Sequence, residues 1–124
     1  MLCYIWLEKR GVFIKKYINW KLISDNKVII NLENIECEFE NNVIKYYEDI
    51  HTLNIIDLNE DLYIRENTDF LFRIDFKNKI FNYILKENNI SIEQNLEATI
   101  TKDNNIDLKY NLGEENKEII IQLL

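Results

Sequence analysis

Apolar and polar residues alternate one by one along most of this chain, and a period of two leaves few folds open to it. Ile35, Cys37 and Phe39 alternate with Glu36, Glu38 and Glu40. Phe70, Phe72, Ile74 and Phe76 alternate with Leu71, Arg73, Asp75 and Lys77, and Ile106, Leu108, Tyr110 and Leu112 with Asp107, Lys109 and Asn111. Over 90–101, Ile90, Ile92, Gln94, Leu96, Ala98 and Ile100 share one face, and Ser91, Glu93, Asn95, Glu97, Thr99 and Thr101 the other. A helix there would put Glu93, Glu97 and Thr101 on the stripe of Leu96 and Ile100 and leave no clean apolar face. The pattern predicts a strand.

Turns must be made without proline, which is absent, and nearly without glycine, which occurs only at 11 and 113. Asn and Asp take that role, because their short polar side chains tolerate left-handed backbone and bond their own main chain. They cluster at Asp25-Asn26, Asn41-Asn42, Asn59-Glu60-Asp61, Asn67-Thr68-Asp69, Asn78, Asn88-Asn89 and Asp103-Asn104-Asn105, spaced as in a meander of short strands. The segments 13–23, 27–32, 43–50, 53–58, 62–66, 79–86 and 118–124 are rich in β-branched and aromatic residues and add further strands. The expectation is one all-β domain over 1–124. In it a single antiparallel sheet of about eight to ten strands closes up-and-down into a barrel, because closure removes exposed edges.

A chain of 124 residues suits one domain with its own core, burying roughly two thirds of its unfolded surface. Its 15 basic and 22 acidic residues give a charge of −7, which argues against nucleic acid or an anionic membrane as partner. Lys9, Arg10, Lys15 and Lys16 form the one basic cluster and read as a solvated edge. Cys3 and Cys37 make no metal-binding spacing, and Cys37 reads as a small buried hydrophobe. No apolar stretch reaches the length of a membrane-spanning helix, and the order of charges near the N-terminus is not that of a secretory signal. The cytoplasm is the expected compartment. Residues 1–11 are expected to form an extra strand or a cap, and their Tyr4, Ile5, Trp6 and Leu7 either plug the barrel mouth or meet a partner.

From about Val28 onward the chain resembles the YwiB-like family of small Firmicute proteins. The matching residues are Ile44-x-Tyr46-x-Glu48, Thr52 opening the next strand, and Leu62-x-Ile64-Arg65. Phe76 follows at a strand end, then Tyr83 within a strand, then Tyr110-x-Leu112-Gly113 before the last one. The resemblance implies a calycin-like, lipocalin-like β-barrel, and the family brings no established function with it.

The candidate site follows from phase. Tyr46 and Glu48 share one strand face, and Tyr63 and Arg65 share another. If both faces point inward, a Glu–Arg pair sits among tyrosines, and the planar fork of Arg65 could anchor the carboxylate or polar head of a small, partly apolar ligand. The competing reading turns both charges to solvent or makes them a structural pair. Trp20, Phe39, Phe70, Phe72, Phe76 and Tyr110 either line a cavity or fill the core. Glu36, Glu38 and Glu40 lack the spacing of a calcium loop, and His51, the single histidine, reads as a turn residue. No nucleophile–base set is present, so a non-enzymatic binder without cofactor or metal is expected. The alternative is an interaction or structural module, with a homodimer as one form, acting through its surface or the N-terminal aromatic segment.

Overall fold

The computed structural model describes residues 15–124. The expectations for residues 1–11, the Tyr4–Leu7 cluster among them, lie outside the described residues, as do Cys3, Lys9 and Arg10. Among those described are eleven strands and no helix: β1 (Lys15–Ser24), β2 (Lys27–Glu40), β3 (Val43–Tyr47), β4 (Leu53–Asp57), β5 (Leu62–Glu66), β6 (Phe70–Asp75), β7 (Ile80–Leu85), β8 (Ile90–Asn95), β9 (Ala98–Lys102), β10 (Ile106–Leu112) and β11 (Glu115–Leu123). No helix is therefore long and apolar enough to cross a membrane among these residues.

Asparagine and aspartate make the turns in two ways. Asp25-Asn26 and Asn41-Asn42 both take left-handed backbone at each position (φ 49° and 66°, 53° and 63°), the two-residue hairpin whose twist matches the flanking strands. Elsewhere a side chain holds the turn from its first position. Asp57 Oδ1 accepts from the amides of Asn59 and Glu60 at 2.9 and 3.1 Å, and Asp75 Oδ1 from those of Lys77 and Asn78, both at 3.0 Å.

All strands belong to one antiparallel sheet in the order β8-β7-β6-β5-β4-β3-β2-β1-β11-β10-β9. The first and last strands pair, from Ile18 opposite Leu123 to Ser24 opposite Lys117, and the sheet curls into a half-barrel. Two features depart from the sequence reading. The stretches 27–32 and 35–40 fuse into one long β2, because a bulge absorbs the break: Asn34 sits at φ 58°, and its amide donates to Asn19 Oδ1 at 2.9 Å. Conversely, the strand expected over 90–101 divides. β8 pairs with β7, β9 pairs with β10, and the neighbours change at Leu96-Glu97. There the Leu96 amide donates to the Lys79 carbonyl, while the Glu97 carbonyl accepts from Asn111, each at 3.1 Å.

Among the described residues the ladder order thus has two free ends, so no ladder makes the expected barrel closure, and the strands number eleven rather than eight to ten. The free edge of β9 is bridged by lysines instead of a ladder. Lys79 donates to the Ala98 carbonyl, and Lys102 pairs with Asp61 and donates to the Leu58 carbonyl at 2.9 Å.

The core lies on the concave faces: Ile18, Trp20, Ile44, Ile56, Ile74, Leu108, Ile119 and Ile121 are fully buried. Of the proposed cavity aromatics, Trp20, Phe76 and Tyr110 are buried core residues, and Phe39 and Phe72 pack against them. Of the face expected over 90–101, Leu96 and Ala98 are buried, Ile100 is half-buried, and Ile90 and Ile92 are 48 % exposed, with no strand beyond β8 among the described residues.

Candidate functional site

The site grows out of the alternation of three successive strands. Ile44 and Tyr46 point inward from β3, and the same phase carries to Glu48, one residue past its end. A tight turn holds Glu48 there. Asp49 Oδ1 accepts from the His51 and Thr52 amides, both at 2.8 Å, and the Glu48 amide donates back to the Thr52 carbonyl at 3.1 Å. Asn54 and Ile56 point inward from β4, and Tyr63 from β5, with Arg65 two residues on. Register sets Tyr46 beside Asn54, Asn54 beside Arg65, and Arg65 beside Phe72 in one row across the sheet.

Arg65 grips Glu48 with two parallel bonds, Nε to Oε1 and Nη2 to Oε2, both at 2.6 Å. The Glu48 side chain is 7 % exposed and that of Arg65 30 %, so this is a partly desolvated, charge-assisted fork. Asn54 Nδ2 donates to Glu48 Oε1 at 2.9 Å, and the Tyr63 hydroxyl donates to Asn54 Oδ1 at 2.6 Å. The carboxylate charge is thereby spread through arginine, amide and phenol. Burial pulls the Arg65 guanidinium pKa down, but the Glu48 hydrogen bond and charge outweigh it and leave it above its ordinary value.

Of the four residues singled out by sequence, Glu48 and Arg65 touch directly, and Tyr63 joins through Asn54. Tyr46 does not join. Its ring lies 5.7 Å from that of Trp20, and its hydroxyl has no hydrogen-bond partner among the described residues. Burial pushes the Tyr46, Tyr63 and Tyr110 phenols well up from their ordinary values. All three are neutral at physiological pH, and Tyr63 donates. Asn54 escaped the sequence reading, although it occupies the inward phase of Thr52-x-Asn54-x-Ile56, and a polar residue at such a position was the available signal.

A pocket of ≈ 280 Å³ opens beside this network on the concave side, its walls including Tyr63, Arg65, Phe72, Tyr110, Leu112 and the Glu115–Lys117 pair. Phe72 anchors its aromatic side, edge-on to Phe81 at 5.0 Å and 6.1 Å from both Tyr63 and Tyr110. On the rim, Lys117 Nζ is tied to Glu115 Oε1 at 2.9 Å and to Ser24 Oγ at 3.0 Å. Two other hollows, of ≈ 330 and ≈ 440 Å³, lie over β9–β11 and between β2 and β3; neither contains the fork.

The remaining candidates resolve simply. His51 is exposed in the β3–β4 turn, and Glu36, Glu38 and Glu40 are exposed along β2. Cys37 is buried, and burial raises its thiol pKa. No group of three His, Cys, Asp or Glu side chains that could hold a metal occurs among the described residues. No protein-family model matches the chain, and neither a curated protein nor a solved structure matches it.

Proposed function

We propose that the protein is a non-enzymatic binder of a small molecule with an apolar body and a carboxylate or similarly polar head, held in the pocket beside Arg65. One observation carries the reading: an inward-facing guanidinium, fixed by a bidentate carboxylate, forms part of a pocket whose other walls are aromatic and aliphatic side chains and the Glu115–Lys117 ion pair. Pockets for small ligands are mostly apolar with a few placed polar groups, and a volume near 280 Å³ suits a ligand smaller than a typical drug. Arg65 spends Nε and Nη2 on Glu48, which leaves Nη1 to donate to a ligand head. Binding rather than turnover is favoured because the nearby phenols are held protonated and the guanidinium is locked. The half-barrel is taken as calycin-like, in keeping with the YwiB-like resemblance. A cytoplasmic place of work suits the buried, unpaired Cys37 thiol.

The test is a ¹⁵N-resolved NMR titration with octanoate, with octanol as the probe lacking the carboxylate. Octanoate is expected to shift the Arg65 Nε–H and the amides of Phe72 and Leu112, and octanol to do so more weakly. Leu112→Trp, which fills the pocket from its half-buried rim, is expected to abolish the shifts while keeping the melting temperature. Shifts confined to residues outside the pocket, or none at all, would rule the proposal out.

A further inference from the structure

Several stretches of strand edge lack a ladder partner among the described residues, and they are not alike. The edge of β9 is bridged by Lys79 and Lys102. The edge of β2 that extends beyond its three pairs with β3 carries Lys27, Glu33 and the Asn34 bulge. Bulges, charges and covering groups are the usual means by which proteins prevent edge-to-edge pairing. Among the described residues β8 has no bulge and no covering group, and its single charge, Glu93, lies on the face opposite Ile90 and Ile92 and accepts from Asn82 Nδ2 at 3.0 Å. Its ladder with β7 is regular through all six residues, it holds no proline or lysine, and it is exposed throughout, with Ile90 and Ile92 each 48 % exposed.

We infer that β8 is the self-association edge of this protein, pairing antiparallel with β8 of a second copy. The polarity of the strand supports this. The Leu96 amide turns toward β7, where it bonds the Lys79 carbonyl. Alternate residues turn alike, so Ile90, Ile92 and Gln94 spend their main-chain groups on β7, while Ser91, Glu93 and Asn95 direct theirs outward. A two-fold axis at Ile92 brings Ser91 of each copy opposite Glu93 of the other in hydrogen-bonded pairs. It sets Ile92 against Ile92 in the closer, non-bonded pairing, with both concave faces on one side. No two carboxylates stand directly opposite. The isoleucines lie in the cross-strand rows of Tyr83 and Leu85, so the pairing extends the apolar concave surface from one copy into the next. The contact is independent of the ligand pocket.

The test is a concentration series on the full chain by light scattering, combined with amide hydrogen exchange. The expected result is a rise from one to two chain masses as concentration increases. Exchange at Ser91 and Glu93 should slow in parallel, with no parallel slowing at Ile90 and Ile92. Each copy carries a charge of −7, so added salt should strengthen the association rather than weaken it. Ile92→Lys, at a position already half in solvent, should weaken the dimer about tenfold or more without lowering the melting temperature. A single chain mass at every concentration overturns the inference. So does full protection of Ser91 and Glu93 at high dilution, which would mean that the edge is covered within one chain, or a dimer indifferent to Ile92→Lys.

Discussion

Tyr46 and Tyr63 are buried to the same degree, at 2 % and 1 % exposure, yet their hydroxyls do opposite things. Tyr63 donates to Asn54 Oδ1 within the Glu48 network, whereas Tyr46 has no partner among the described residues. Removing one partner from a buried bond costs about 1–2 kcal/mol, while removing a hydroxyl that makes none costs little or nothing. Urea unfolding should therefore find Tyr63→Phe destabilised by about 1–2 kcal/mol and Tyr46→Phe within about 0.5 kcal/mol of the parent. Glu48→Ala leaves Arg65 and Asn54 without their acceptor. Breaking a wholly buried pair costs roughly 3–5 kcal/mol, but the 30 % exposure of Arg65 lets water take up part of the loss, so about 2 kcal/mol is expected. Adding Arg65→Met to Glu48→Ala should recover some of that. The fork was legible in the sequence because Glu48 and Arg65 each stand two residues from a tyrosine on an alternating strand. Asn54 was harder to see, since Leu53, Ile55 and Ile56 around it blur the alternation.

Individual strands were readable because alternation is a local property, and the Asn and Asp turns bounded them well. Which neighbour a strand takes is not local. Residues 90–101 keep one phase throughout, but nothing in that phase says that Ile90–Asn95 lie on β7 and Ala98–Lys102 on β10. The stagger of the two flanking strands decides it, and that depends on residues far away in the chain. Lys79 illustrates the point: it takes a left-handed backbone (φ 57°) in a turn expected to rest on Asn78, and it bridges to Ala98. Gly113, in the β10–β11 turn, is the other special position. It sits at φ 62° with nothing within 4 Å of an added Cβ, so only backbone strain opposes a side chain there. Gly113→Ala should cost about 1–2 kcal/mol by thermal or urea unfolding, and Gly113→Asn distinctly less, because Asn tolerates this conformation. Equal costs for the two would mean that the turn, not the residue, carries the strain.

Across the whole molecule, the buried phenols tie stability to alkaline pH. Tyr46, Tyr63 and Tyr110 all have folded pKa values raised by burial above the unfolded value near 10. The unfolded chain therefore loses these protons first. Their contribution is complete below about pH 9 and declines once pH passes about 10, by up to about 1.4 kcal/mol per pH unit for each tyrosine. Phenolate absorbance from these three should rise only together with loss of the β-sheet circular dichroism signal; early ionisation in the folded state would contradict their burial. Two of these rings, Tyr63 and Tyr110, frame the proposed pocket with Arg65 and Phe72, so the binding claim stands on the same interior. Native mass spectrometry of the full chain as purified tests that claim most directly. A bound small molecule that survives gentle ionisation and disappears in Leu112→Trp is the expected result. The bare chain mass alone, with no complex even after millimolar octanoate is added, would contradict it.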